Sequence, residues 1–234
     1  GIVHSSEPVA LVGGAEVNHD VLTQALQLCS VVVAADSGAA PLLARGVMPE
    51  AVIGDMDSAA ADVMAKIPSA RVHRSADQET TDFEKCLCGI EAPVILGVGF
   101  TGARLDHQLA ALAALVRFSD RRCVLLSETD LVFLAPPMMR LNLPVGSRFS
   151  LFPMAAVEGI SEGLRWPING LNLAPDGRVG TSNEVSGDVM LSVTVPKMLV
   201  ILPRAALAAV LEMFAASPAA WPARATLYTG QPRP

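Results

Sequence analysis

The sequence has no excess of positive charge: 17 lysines and arginines stand against 23 aspartates and glutamates, a formal net charge of -6. Non-specific nucleic-acid binding draws its affinity from basic side chains on phosphates, so no nucleic-acid partner is expected. An anionic substrate would need a metal or a local cationic pocket. Cysteine is scarce as well. Cys29, Cys86, Cys88 and Cys123 show no C-x-x-C spacing, and each lies in an apolar segment. They read as small packed thiols in a reducing compartment rather than as metal or redox centres. No uncharged apolar run approaches the roughly 18 residues that span a bilayer, so no membrane is expected. The first residues, "GIVHSSEP", lack a basic stretch followed by an apolar one. Nothing there marks a signal peptide, and the expected location is cytoplasmic. Internal repeats and low-complexity segments are missing, as are the G-x-G-x-x-G and G-x-x-x-x-G-K-S/T phosphate loops.

What is there is apolar and patterned. A hydrophobic fraction of 51% with only 17% charged residues belongs to a globular chain, and 234 residues suit one medium domain plus a small one. From Pro8 to about Pro137, apolar runs of strand length alternate with helical patterns. "PVALVGGA", "VVVAADSG", "AVIGD", "RVHRS", "PVILGVGF", "RCVLLSE" and "LVFLAP" read as strands, while "HDVLTQALQLC", "GAAPLLARG", "AADVMAKI", "TDFEKCLCGI" and "RLDHQLAALAALVRF" read as helices. Strands apolar throughout are what a parallel sheet covered on both faces requires, so residues 1–137 are expected to form an α/β domain, a mostly parallel sheet flanked by helices. After Pro136-Pro137 come short β-like segments, "RLNLPVGSRFSLFPM", "GLRWPI", "GLNLAPDGRVGTSN" and "GDVMLSVTVPKMLVIL", punctuated by turn residues. Residues 138–234 are expected to form a smaller antiparallel β-sandwich domain that ends in an alanine-rich helical extension.

In an open parallel sheet the ligand crevice lies outside the carboxyl ends of the strands. Acids follow four separate strand-like runs: Asp36 after "VVVAA", Asp55 and Asp57 after "AVIG", Asp77 and Asp82 after "RVHRS", and Asp106 after "PVILGVGFTGARL". Carboxylates converging on one edge repel each other unless a cation intervenes. Magnesium suits them, because this hard dication takes carboxylate oxygens and shares its remaining positions with water and substrate phosphates. Asp55 and Asp57, two residues apart in an extended segment, would point to the same side and share or flank an ion. A competing reading makes Asp57 a helix cap and Asp55 a turn residue. Thr81-Asp82-Phe83-Glu84 fits a capping box, which leaves a helix N-terminus near phosphate oxygens, with Gln78, Thr80 and Lys85 extending the polar surface. In "GFTGARLDH" the glycines allow close backbone approach, Arg104 offers charge to phosphate, and Asp106 offers a metal ligand or base. His107 reads as a hydrogen-bonded structural histidine before a proton carrier.

Taken together and in order, "ADSGAAPLLARGVMPEAVIGDMDS", "DQETTDFEKCL", "TGARLDHQLA", "GLRWPI" and "GTSNEV" resemble the thiamine pyrophosphokinase family from about Pro8 to Ile201. The resemblance implies an ATP-binding catalytic α/β domain, a thiamine-binding β-sandwich domain, and a homodimer with thiamine where the subunits meet. It implies magnesium-dependent transfer of pyrophosphate from ATP to the hydroxyl of thiamine, giving thiamine diphosphate and AMP. By resemblance Asp55, Asp57 and Asp82 serve metal and phosphate. Arg104 and Asp106 serve catalysis. By resemblance Gln78 serves ATP alongside Arg104, and Ser182 and Asn183 serve thiamine, while from their positions in the motifs Asp36, Thr80, Thr81, Lys85 and His107 are also expected to line the ATP site. Many members carry a tryptophan in a late L-L-W-T stretch that packs on thiamine, whereas "KMLVIL" offers Leu199. Trp166, or a ring of the extension such as Trp221, is the candidate substitute. Two alternatives stay open: a related pyrophosphokinase acting on another hydroxylated heterocycle, and a non-catalytic nucleotide-binding module.

Overall fold

The structure is a computed structural model, and it describes residues 1–75, 77, 79–102, 104–217 and 219–223. Along the chain run β1 (Val3–His4), β2 (Val9–Val12), α1 (His19–Leu28), β3 (Val31–Ala35), α2 (Ala39–Leu43), β4 (Ala51–Gly54), α3 (Ala61–Met64) and β5 (Val72–Arg74). Then come α4 (Asp82–Gly89), β6 (Ile90–Glu91), β7 (Ile95–Val98), α5 (Leu105–Arg117), β8 (Cys123–Leu126), β9 (Asp130–Leu134) and β10 (Met138–Leu141). The chain closes with β11 (Arg148–Pro153), β12 (Gly159–Leu164), β13 (Gly180–Val193), β14 (Met198–Pro203) and α6 (Leu207–Ala216).

The fold is mixed α/β, built on one large sheet in the order β10-β13-β11-β14-β9-β8-β7-β2-β3-β4-β5. From β5 to β8 every neighbouring pair is parallel, and from β8 to β10 every pair is antiparallel. The run "LVFLAP" thus becomes the antiparallel strand β9, because a turn of three residues after β8 is too short for a parallel crossover.

Alternation explains how both faces are covered. Val9 and Leu11 of β2 face an apolar cluster with Phe83 and Leu87 of α4 and Leu115 of α5. Ala10 and Val12 face the other cluster, with Leu22 of α1, Leu42 of α2 and Phe214 of α6. That second cluster runs on beneath the antiparallel strands through Phe133, Phe149, Val185 and Leu191. Each such fully buried side chain contributes on the order of 1.5–3 kcal/mol.

Several local expectations change. The two segments read as broken at Glu184-Val185-Ser186 form one strand, β13, which switches partners there: residues 180–184 pair with β11, and 185–193 pair with β12 and, over 189–192, also with β10. Only the first residues of "GLRWPI" are strand, since β12 ends at Leu164 and Arg165–Ile168 form a turn whose backbone is held by a side chain described below. The ribbon of β1 and β6 lacks the length and periodicity to be legible beforehand. Cys29, Cys86 and Cys123 are buried, as read, but Cys88 is exposed.

Candidate functional site

The sheet reverses direction of growth at β2, which has β3 on one side and β7 on the other. A crevice is expected outside their carboxyl ends. There Gly13 and Gly99 pass so closely that a Cβ on Gly13 would lie 2.6 Å from the Gly99 carbonyl oxygen. Two adjoining clefts open at this point and share Glu16, Gly99, Thr101 and Gly102. One, of about 530 Å³, includes Asp36, Asp55, Ser58, Thr80, Thr81, Asp82, Arg104 and His107. The other, of about 720 Å³, has an apolar floor of Val17, Val21, Val98 and Leu126 and a rim carrying Glu16 and Glu128.

Three acids meet in the smaller cleft, Asp36 and Asp55 directly after β3 and β4 and Asp82 as the first residue of α4. Oxygen atoms of Asp36, Asp55 and Asp82 all lie within 4.8 Å of one another. The Asp55 N–H donates to Asp82 Oδ1 at 3.3 Å, and the Ser58 N–H donates to Asp36 Oδ2 at 3.1 Å. Asp36 is buried, in a left-handed conformation with φ 46°, and its Oδ1 has no hydrogen-bond partner among the described residues. Burial, and then the Asp82 and Asp55 charges, push its carboxyl above the ordinary aspartate range against the hydrogen bond from Ser58. Gly54 lets the trio close up: a Cβ there would lie 3.0 Å from both Asp36 Cβ and Asp82 Oδ1.

One protein cation already answers these charges. Lys85 Nζ lies 3.0 Å from Asp82 Oδ1 and 3.7 Å from Asp55 Oδ2, with a side chain only 6% exposed. Burial alone would lower its pKa, but the hydrogen bond to Asp82 and the charges of Asp82, Asp55 and Asp77 outweigh it and hold the ammonium above its ordinary value. Asp36 receives no such partner among the described residues. A buried, unpaired carboxylate oxygen beside two further carboxylates is a donor set for a hard divalent cation, so the residues fit magnesium.

Asp57 does not join the cluster. Met56 adopts φ 66°, so the segment is not extended and the two-residue rule fails; Asp57 is exposed while its N–H caps Asp55 Oδ1 at 3.0 Å. The capping box forms as read, with Thr81 as N-cap and Glu84 accepting from the Thr81 N–H at 3.0 Å. Thr80 donates to Asp77 Oδ2 at 2.6 Å, which helps hold that carboxyl below the ordinary range. Arg104 and Asp106 pair with each other at 2.7 Å at the exposed start of α5, and this hydrogen bond lowers the Asp106 pKa. Gln78 lies outside the described residues.

The residues assigned to thiamine stand elsewhere. Ser182, Asn183 and Trp166 line neither cleft. Asn183 is buried and fully engaged, accepting from the Trp166 and Glu184 N–H groups at 3.1 and 2.9 Å and donating to the Trp166 carbonyl at 2.7 Å. It thereby holds the turn that presents the Trp166 ring, 54% exposed, with the Arg165 guanidinium 4.7 Å from the ring centroid. Trp221 instead packs against the core and donates its Nε1–H to the Ala135 carbonyl at 2.8 Å. Sequence reasoning missed Ser58 and the larger cleft, because a backbone N–H and a concavity leave no residue-type signal.

Residues 22–126 match the family model described as thiamin pyrophosphokinase, catalytic domain, and residues 140–200 match thiamin pyrophosphokinase, vitamin B1 binding domain. Thiamine pyrophosphokinase 1 of Arabidopsis thaliana is 31% identical over 156 residues, covering 58% of each chain. Thiamin pyrophosphokinase 1 of Caenorhabditis elegans is 30% identical over 156 residues, 59% of this chain and 63% of its own. The chain thus spans about three-fifths of the length of the curated relatives it matches. Among solved structures, thiamin pyrophosphokinase from Candida albicans superimposes with a TM-score of 0.69 at 18% identity, over 86% of this chain and 92% of that one. The Geobacillus thermodenitrificans enzyme gives 0.70 at 22% identity, over 84% and 96%.

Proposed function

The chain belongs to the thiamin pyrophosphokinase family, and from that premise we propose that it transfers pyrophosphate from Mg-ATP to the hydroxyl of thiamine, forming thiamine diphosphate and AMP. The observation that carries the reading is the meeting of Asp36, Asp55 and Asp82 around an unpartnered buried oxygen in a cleft at the sheet's switch point. Residues 1–137 act as the ATP-binding catalytic domain, and 138–234 as the thiamine-binding β-sandwich domain with its helical extension. Asp36, Asp55 and Asp82 would hold the magnesium, which supplies positive charge to the non-bridging phosphate oxygens when bound. Asp57, at the exposed end of the same loop, is a further acidic contact at the rim.

The thiamine hydroxyl oxygen attacks the β-phosphorus of ATP, the bond from that phosphorus to the α-phosphate oxygen breaks, and AMP leaves. Arg104 and the polar groups Thr80, Thr81, His107 and Gln78 orient the phosphates. Lys85 acts on ATP through the carboxylates it faces. The nucleoside occupies the larger cleft, whose apolar floor suits a base and whose two rim carboxylates accept from hydroxyl or amino groups rather than from phosphate. In the free protein Asp106 is a weakened base, because the hydrogen bond from Arg104 holds its carboxyl below the ordinary aspartate range. Phosphate drawing Arg104 away frees Asp106 to take the hydroxyl proton, with Asp82 as the other acceptor.

Ser182, Asn183 and the Trp166 turn serve thiamine from a second subunit, which fits their absence from the clefts of their own chain. The register supports a homodimer: Met138 and Ile160 both pair with Ser192, so they stand in one row on one face of the sheet, 51% and 54% exposed. A cytoplasmic location accords with four free cysteines. The test is thiamine-dependent AMP release by purified protein with Mg-ATP. Release with another hydroxylated heterocycle but not with thiamine would transfer the reading to that acceptor, and nucleotide binding with no AMP from any acceptor would refute catalysis.

A further inference from the structure

The most deeply buried carboxylate near the site, among the described residues, is not one of the three clustered acids. Glu84, the third residue of α4, is 2% exposed, and its two oxygens divide their work. One accepts from the Thr81 N–H and hydroxyl at 3.0 and 3.1 Å; the other meets the Arg117 guanidinium at 2.5 Å. A capping box needs only the first set, and such boxes ordinarily sit at the surface, where Glu84 would need no cation. Burying the carboxylate makes the Arg117 partner obligatory, because a lone buried charge is strongly unfavourable.

Arg117 is the last residue of α5, whose first turn carries Asp106 and, lining the cleft, His107. Glu84 lies between Asp82 and Lys85, the two residues through which α4 reaches the acidic cluster. The Phe83 and Phe100 rings, 4.5 Å apart, close the same seam beside the cleft.

We propose that Arg117, through Glu84, is a positioning residue for Asp82 and Lys85: it locks the first turn of α4, and so sets the spacing of the carboxylates that take the divalent cation. The inference rests on the metal-site reading above. Neither Arg117 nor Glu84 lines a cleft, so neither touches substrate. Partners that orient metal ligands typically govern 10–100-fold in metal affinity or activity, and misplacement by about 1 Å costs a comparable factor in rate.

The experiment compares wild type, Arg117→Ala, Arg117→Lys and Glu84→Gln by Mn2+ binding without nucleotide, read from the electron-paramagnetic signal of free Mn2+. Steady-state kinetics with Mg-ATP and thiamine run in parallel. Arg117→Ala should weaken Mn2+ about tenfold and lower kcat by about 10–100-fold while the thiamine KM stays within about twofold. Arg117→Lys should recover most of both. If Arg117→Ala fails to fold, Glu84→Gln, which still accepts from the Thr81 N–H, should show the same directions at smaller size. A fall in melting temperature with Mn2+ affinity and kcat unchanged in the folded variants overturns the inference and leaves the pair merely structural. Wild type that binds Mn2+ but releases no AMP removes the proposed reaction and leaves the metal comparison decisive.

Discussion

The two halves of the sheet handle polar groups in opposite ways. In the parallel half, strands β2, β3, β4, β7 and β8 are buried almost throughout, and every consequential polar group is expelled to the carboxyl ends. Three carboxylates collect there, and Lys85 compensates only two of them. In the antiparallel half, buried Asn183 sits within a strand with every contact answered by the Trp166 turn and its own neighbour. The first arrangement is electrostatically unfinished and calls for a ligand. The second is complete and serves shape. Polar residues selected for chemistry are thus recognised by what they leave unsatisfied.

Substitutions can break this contrast. Asp55→Asn should have the largest consequence, lowering kcat/KM for Mg-ATP by about 10²–10³-fold with an unchanged circular dichroism spectrum, since it removes charge where charge is gathered. Equal loss of activity and of fold would erase the distinction. Asn183→Ala should act the other way round. Losing three hydrogen bonds at a buried position costs roughly 2–3 kcal/mol, seen as a fall in melting temperature of about 4–12 °C, and thiamine KM rises only because the Trp166 turn loosens.

Arg104→Ala should raise the ATP KM about tenfold and leave the thiamine KM nearly unchanged, checked by varying each substrate separately. The smallest effect tests the unfinished charge directly. In chelator-treated protein Asp36→Asn should raise the melting temperature by about 2–4 °C at neutral pH, because Asn tolerates the left-handed backbone and carries no charge. The folded-state pKa of Asp36 is raised, so its contribution to stability is fully present below the unfolded value of about 3.9 and is lost as pH rises through the folded one. The gap between variant and wild type should therefore be smallest below about pH 4 and widen toward neutrality; a constant gap would deny that Asp36 is the source.

Much of this was legible beforehand for a physical reason. Strands buried on both faces must be apolar throughout, so "VALV", "VVVAA", "AVIG", "ILGV" and "CVLL" announce both their state and their parallel pairing. Of the acids that follow strand-like runs, Asp36, Asp55 and Asp82 meet at the crevice, while Asp57, Asp77 and Asp106 do not join them. Less was legible where the backbone departs from regular geometry. The positive φ at Met56 breaks the extended geometry that would have set Asp57 beside Asp55 in the acidic cluster, and the partner switch between Glu184 and Val185 hid a strand of 14 residues, β13.

The amino-acid order alone determined the layers, the edge at which charge accumulates, and the capping box that begins α4, since each follows from periodicity or from neighbours three or four residues apart. Which carboxylates meet, which cation compensates them, and that Arg117 reaches Glu84 across 33 positions were decided only by the tertiary structure. Those relations depend on how separate strand ends and helices are brought within a few ångströms, and Coulomb interactions act on that distance rather than on separation along the chain.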